Sequence, residues 1–225
     1  MPPPTEAADV ERRLSDARSK LDQVSAELFR SFPSNEAWLL PTRLGNAIRA
    51  FETYPMTVYG GDGVPLWPRL LTVIPSDFCR TLDDARAEVN FLANMVLVAT
   101  PLAVATVARW EAGIRWAAPT AAAPAPDLGW MFAQAHGVFL VAAALLLLAA
   151  WGFYRWTVLQ AKAWGELVRT AFDCYLPDLA KKLGYALPQQ GQRQRDFWGD
   201  IAGQAVYGDP FEPSSWPRAA AHDGQ

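Results

Sequence analysis

The sequence contains few of the residues that build metal sites and nucleophilic active sites. Its 225 residues include two histidines, His136 and His222, and two cysteines, Cys79 and Cys174. Zinc sites take several Cys, His or carboxylate ligands at short spacings, which these four residues do not provide. The scarcity of histidine also disfavours a Ser-His or Cys-His nucleophile pair. We therefore predict no metal site, no cofactor and no catalytic residue.

An excess of basic residues is also lacking. The chain has 20 Lys and Arg against 23 Asp and Glu, a formal net charge of -3. Before the first long apolar stretch there are 10 basic and 13 acidic residues. Because a basic patch is the electrostatic signature of a protein that binds nucleic acid, we expect no nucleic-acid partner.

Charged residues are absent from two long stretches, residues 91–108 and 137–154. Each stretch would form a helix of about 27 Å, close to the thickness of the hydrocarbon layer of a bilayer. Backbone in lipid must satisfy its own hydrogen bonds, so both should be helical. We predict an all-α integral membrane helical hairpin, with transmembrane helices at 90–110 and 135–156 and a cytosolic helical domain built from both flanks. The alternative is a pair of buried helices in a soluble protein.

The distribution of Lys and Arg predicts the orientation of the hairpin. Arg69, Arg80 and Arg86 precede the first span and Arg155, Lys162 and Arg169 follow the second, whereas only Arg109 and Arg115 lie between them. Basic residues favour the cytoplasmic side. We therefore expect a multi-pass protein of the cell (inner) membrane, with both termini cytoplasmic and an external Ala/Pro-rich loop at 111–134.

The N-terminal segment, residues 1–33, carries a heptad pattern. Apolar residues recur at spacings of 4 and 3 along residues 6–31, namely Val10, Leu14, Ala17, Leu21, Val24 and Leu28. Such a seam is typical of helices that pair with other helices, although this one is shorter than most coiled coils. It predicts either an amphipathic helix folded back on its own chain or a helix that binds a second copy or a partner protein.

The remaining segments are predicted to be helical as well. Residues 34–89 form one region, in which the Leu66–Ile74 stretch could lie at the membrane interface or in the cytosolic core. Residues 157–204 form the other, interrupted at Pro177. Residues 205–225 are predicted to be a disordered tail because they are rich in small and polar residues and proline.

Four stretches resemble recurrent elements of uncharacterised bacterial membrane proteins with two spans: "RLGNAIRAFETY", "YGGDGVPLWPRLLTVIP", "DDAR" and "LVRTAFDCYLPDLAKKLGYALP". The resemblance covers about residues 39–190. It implies the two-span architecture and supplies no activity or catalytic residue.

Polar residues in the two flanks could form a cluster. They comprise Arg43, Asn46, Arg49, Glu52, Arg69, Glu166, Arg169 and Asp173. One interpretation is an ion-pair network that orients the helices, because alternating charges usually mark paired or solvated faces. The other is a binding site for an anionic small molecule or lipid headgroup, with Arg43, Arg49 and Arg69 as donors.

Three functions remain open on these grounds. The first is a non-enzymatic membrane scaffold that associates with itself or a partner through residues 6–31. The second is a membrane effector or small pore, in which Asn94 and Thr100 of the first span face inward; Asn94 could instead pack against the second span. The third is an enzyme that acts on a lipid or small anion through the arginine cluster. We favour the scaffold.

Overall fold

The computed structural model describes residues 4–116, 136–208 and 215–218, with side chains from residue 8 to 111, 137 to 208 and 215 to 218. The described residues are α-helical with no β-strand, as the sequence predicts. They form two compact units: one from the described parts of residues 1–84 and 161–225, the other from residues 85–160. The first unit is thus built from both flanks of the hairpin.

Four helices precede the first apolar stretch. They are α1 (Pro4–Ser31), α2 (Arg43–Glu52), α3 (Tyr54–Tyr59) and α4 (Gly63–Leu70), with a short 3-10 turn at Glu36–Trp38. Polar caps fix the starts of α2 and α4, since the side chain of Thr42 accepts the N–H of Gly45 and that of Asp62 accepts the N–H of Val64. The chain then reverses at Gly60, whose φ of 80° is in the left-handed region that favours glycine.

Three longer helices follow: α5 (Ser76–Trp116), α6 (His136–Lys182) and α7 (Gly191–Tyr207). The predicted break at Pro177 is wrong, because α6 continues through it to Lys182. Proline removes one helical hydrogen bond. Here the flanking residues Leu176, Leu179 and Ala180 are fully buried, and their packing holds the last turn in place.

The core of the first unit is a cluster of large apolar side chains from both flanks. Its most deeply buried members include Leu66 and Leu70 of α4, Leu176 of α6, and Phe197 and Trp198 of α7. Three residues of the Leu66–Ile74 stretch, Leu66, Leu70 and Ile74, therefore belong to this core. Trp67 lies against Phe172, with ring centroids 5.8 Å apart.

The predicted disordered tail needs correction. Residues 205–207 are the end of α7, and described residues 215–218 pack on the first unit. The ring of Trp216 lies 5.3 Å from that of Phe197, and its Nε1 donates to Asp200 at 3.2 Å. The N–H of Ala186 also donates to the carbonyl of Pro217 at 2.8 Å. One tryptophan thus anchors a segment whose composition predicts disorder. Residues 209–214 and 219–225 lie outside the described residues.

The second unit contains the two apolar stretches, within helices long and apolar enough to cross a membrane. Alanines are buried inside it, at Ala99 and Ala103 of α5 and Ala143 and Ala150 of α6. Small residues of this kind let two helices approach closely. In each stretch only 17% of the most apolar window is buried. Most of the predicted external loop, 111–134, lies outside the described residues.

Candidate functional site

The most deeply buried charge described in the first unit is Arg169 of α6, which is 6% exposed. Its Nη1 donates to the carboxylate of Glu166, one turn earlier, at 3.0 Å. Its Nη2 donates to the carbonyl of Phe29 in the last turn of α1 at 2.9 Å. The carbonyls at a helix C-terminus have no intrahelical partner and carry partial negative charge, so a guanidinium is a favourable partner.

Two aromatic rings enclose the same guanidinium. Its carbon lies 4.8 Å from the ring centre of Phe29 and 5.4 Å from that of Tyr54, and the two rings meet edge to face at 6.0 Å. Burial lowers the pKa of Arg169, and the carboxylate of Glu166 opposes this shift. Arginine stays charged in proteins because its ordinary pKa is above about 12. The arrangement therefore holds a permanent cation between α1 and α6.

A second pair of contacts joins the same two helices. Lys162 of α6 donates a short hydrogen bond to Glu27 of α1, which also accepts from Ser31 at 3.0 Å. These hydrogen bonds, that from Lys162 first, lower the pKa of Glu27. Arg30 pairs with Glu166 at 3.2 Å. We call this set the α1 clamp: Glu27, Phe29 and Arg30 on α1, and Lys162, Glu166 and Arg169 on α6.

Asp173 joins the clamp to α3. One of its carboxylate oxygens accepts hydrogen bonds from the hydroxyls of Tyr54 and Tyr59, both at 2.7 Å. Burial, followed by the hydrogen bond to Asp173, raises the pKa of Tyr54 to about 12. The same causes raise the pKa of Tyr59 still further. Both phenols are therefore protonated near neutral pH, where they act as hydrogen-bond donors and not as bases.

The other predicted site residues make separate contacts. Asn46 is buried and brackets Leu40, accepting its N–H at 2.7 Å and donating to its carbonyl at 3.0 Å. Arg49 pairs with Glu52 at 3.4 Å, as their i,i+3 spacing predicts. Arg69 is exposed and donates to the carbonyl of Pro65 at 2.8 Å.

Arg43 is exposed and has no polar partner among the described residues. Of the predicted site residues, the structure joins Glu166 and Arg169 by a direct hydrogen bond. It links Asp173 to them through Tyr54, whose hydroxyl donates to Asp173 and whose ring lies against the Arg169 guanidinium. It joins Arg49 only to Glu52, and no contact in the described part of the chain links Arg43, Arg49 and Arg69 into one set of donors.

Sequence reasoning missed six members of this arrangement: Glu27, Phe29, Arg30, Tyr54, Tyr59 and Lys162. The heptad pattern predicts contacts for the seam residues of α1, and it makes no prediction for the contacts of the last turn. In that turn Arg169 donates to the backbone carbonyl of Phe29. Because every residue has a backbone carbonyl, no pattern of side chains predicts this contact. Cys174, on the same helix as Arg169, is a free and exposed cysteine. No group of three His, Cys, Asp or Glu residues in the described ranges could hold a metal ion.

The first helix leaves its apolar face uncovered. The α1 seam consists of Val10, Leu14, Ala17, Leu21, Val24 and Leu28, and its five larger members are 52% to 65% exposed. At its C-terminal end the seam runs into an open apolar groove of about 460 Å³, lined mainly by Leu28, Phe29, Phe32, Pro33 and Leu39. Leu28 belongs to both the seam and the groove, so the two apolar surfaces adjoin.

No protein-family model, curated protein or solved structure matches this chain.

Proposed function

We propose that this protein is a non-enzymatic scaffold anchored in the cell (inner) membrane by two spans, with both termini in the cytoplasm, and that its α1 seam binds a helix of a partner protein. The observation that carries the proposal is the exposure of the five larger seam residues on a helix whose last turn is clamped. A large exposed apolar patch on a folded protein usually marks an interaction site.

The exposed faces of α5 and α6 support the membrane anchor. Leu97, Val98 and Leu102 of α5 are half exposed or more, as are Leu145 and Leu148 of α6. Water would solvate such a surface poorly, whereas lipid tails are as apolar as these side chains. The greater number of Lys and Arg on the two flanks than between the spans supports cytoplasmic termini.

A lipid surface is a poor occupant for the α1 seam. Residues 6–31 carry six acidic and five basic side chains, so the helix as a whole has no attraction to anionic headgroups. Helices that lie in the interface are rich in Lys and Arg on the polar face and often carry aromatic anchors. Residues 6–28 contain no aromatic residue. The seam therefore fits another helix better than it fits a membrane.

The charges that flank the seam indicate the chemistry of that helix. In a heptad register with Leu14 and Leu21 at the a positions, Arg13 and Lys20 occupy g positions and Arg18 an e position. The acidic residues in these flanks lie nearer the ends of the seam, Glu11 at an e position and Glu27 at a g position. The three basic residues are exposed and make no ion pair among the described residues. Side chains at e and g select partners by charge. The central part of the seam, residues 13–20, therefore favours a partner helix with Glu or Asp beside its apolar stripe.

The same charges disfavour a second copy of α1. A parallel pair in register would place Arg13 of one copy against Arg18 of the other. An antiparallel pair that aligns the full seam would place Arg18 against Arg18 and Lys20 against Lys20. Like charges in these positions repel. Glu27, the nearest flanking carboxylate at the C-terminal end, is already bound to Lys162.

Peptide binding to the full-length protein in nanodiscs tests the proposal. The probes are two designed helical peptides of about 21 residues, three heptads with leucine at a and d, one with glutamate and the other with lysine at e and g. We expect the acidic peptide to bind roughly tenfold tighter than the basic one, with the difference shrinking at high salt. Fluorescence anisotropy of the labelled peptide measures both affinities.

Two double variants complete the test. Leu14→Glu with Leu21→Glu should abolish binding, whereas Ser19→Glu with Ala26→Glu adds the same charge on the opposite face of α1 and should retain it. Equal affinity for both peptides, or no binding of either, would contradict a charge-selected helix partner. Wild-type oligomers that dissolve only in the Leu14 and Leu21 variant would show that a second copy occupies the seam.

A further inference from the structure

The side-chain amide of Asn94 has no hydrogen-bond partner among the described residues. Asn94 is the fourth residue of the uncharged 91–108 stretch, and it is exposed on α5. The predicted packing of Asn94 against the second span is not formed, because the buried residues of α5 in this stretch, Leu92, Ala99 and Ala103, lie on another face.

The neighbouring hydroxyl in the same stretch is different. Thr100 is also exposed, but its Oγ1 donates to the carbonyl of Val96 on its own helix at 2.8 Å. Its polar group is therefore satisfied within the chain. Asparagine has two donors and an acceptor, and in hydrocarbon an unmet amide costs several kcal/mol. Its side chain is shorter than the stems of lysine and arginine, which extend to the headgroups from within the bilayer.

A second unmet group lies on the same face. Pro101 is two helical turns after Asn94 and likewise exposed, and it has no N–H to donate to the carbonyl of Leu97. Prolines are tolerated in transmembrane helices where a neighbouring helix or a hydroxyl side chain satisfies the freed carbonyl. Thr100 does not do so, because it donates to Val96. This face of α5 therefore has the features of a helix–helix contact.

We infer that Asn94 joins α5 to α5 of a second copy within the bilayer, through a symmetric pair of side-chain amide hydrogen bonds. In a twofold interface the same residue meets itself near the axis, so it needs both a donor and an acceptor. The asparagine amide carries both. The dimer rests on the proposed membrane insertion and is independent of the partner for the α1 seam.

The experiment measures the dimer fraction of the full-length protein in liposomes by single-molecule photobleaching, across a series of protein-to-lipid ratios. We expect the wild type to dimerise and Asn94→Leu to weaken the dimer by roughly 3- to 30-fold, the range for hydrogen bonds between transmembrane helices. Asn94→Gln, which keeps the amide, should restore most of the dimer. Thr100→Val, which removes a hydroxyl already satisfied within the chain, is the matched control and should dimerise like the wild type.

Failure of the inference and failure of the membrane premise give different results. A protein that remains in the membrane after an alkaline carbonate wash but is monomeric, or dimerises equally well with Asn94→Leu, overturns the Asn94 pair alone. A wild-type protein that the wash releases overturns the membrane anchor and the inference together. If the protein were monomeric, the Asn94 face of α5 would have to contact a transmembrane helix of a different protein.

Discussion

Arg169 contacts partners from three separate segments of the chain. It donates to Glu166 on its own helix and to the carbonyl of Phe29 on α1, and its planar group lies over the ring of Tyr54. A lysine could supply the charge, but it could not form these two directed hydrogen bonds while its flat face covers a ring. The clamp thus depends on the shape of the guanidinium as much as on its charge.

Replacement of Arg169 should loosen the last turn of α1. Arg169→Met keeps an apolar stem of similar length and removes both donors, leaving the carbonyl of Phe29 without a side-chain partner. We expect a loss of about 1–3 kcal/mol of stabilisation, so that amides near residues 27–31 exchange with deuterium roughly 5- to 150-fold faster. Arg43→Met, at an exposed residue without a polar partner, should change exchange little. Unchanged exchange in the Arg169 variant would show that the clamp does not fix α1.

At this scale the sequence predicts contacts between neighbours in the chain. The Arg49–Glu52 pair and the Arg169–Glu166 pair both follow from i,i+3 spacing on a helix. The link from Tyr54 to Asp173 spans 119 positions. It depends on how α3 packs beside α6, which no local pattern specifies. Of the contacts of Arg169, spacing therefore predicts only that with Glu166, whereas the contacts with Phe29 and Tyr54 depend on the fold.

Elements are set by local chemistry where polar caps and glycines are present. Thr42 caps the start of α2, as expected of a threonine at this position. Gly45 fits there because it has no Cβ: a Cβ at residue 45 would lie only 2.9 Å from Thr42 Oγ1. Pro177 is the counterexample, since α6 passes through it. A local rule predicts a break at that residue, but the burial of Leu176 and Leu179 in the core outweighs one lost hydrogen bond.

Gly165 shows how closely α6 approaches α2. A Cβ at this position would lie 2.6 Å from Cδ1 of Phe51, which is itself in the core. Gly165→Ala should therefore destabilise the first unit by about 1–3 kcal/mol through overpacking, although alanine is the better helix former. Gly152→Ala, on the same helix with nothing within 4 Å of the added carbon, should be neutral or stabilising.

Thermal unfolding of both variants in detergent, followed by tryptophan fluorescence, measures the difference. Trp164 reports directly on this contact, because its ring lies 4.9 Å from that of Phe51. If Gly165→Ala raised the midpoint as much as Gly152→Ala, the close approach of the two helices would be refuted.

The proposals assign different surfaces of the molecule to different partners. The outward face of α5 would hold a second copy, and the α1 seam would remain free for a partner helix. Two copies would then present two seams on the cytoplasmic side, so a dimeric partner would gain affinity from binding both at once. Composition and hydropathy predict the two helices that carry the anchor. They could not show which faces stay uncovered, because that depends on which residues the folded chain buries.

The two native cysteines offer a direct test of the membrane topology. Cys79 precedes the first candidate span and Cys174 follows the second, and the thiol of Cys174 is exposed. In spheroplasts, a membrane-impermeant maleimide should leave Cys174 unlabelled until detergent is added, because the proposal places both flanks in the cytoplasm. With Cys79 and Cys174 replaced by serine, a new cysteine at Ala122→Cys in the predicted external loop should label without detergent. Labelling of Cys174 from outside, with protection of the loop cysteine, would show that the orientation is opposite to the proposed one. Labelling of only one of the two flanks would rule out a two-span hairpin.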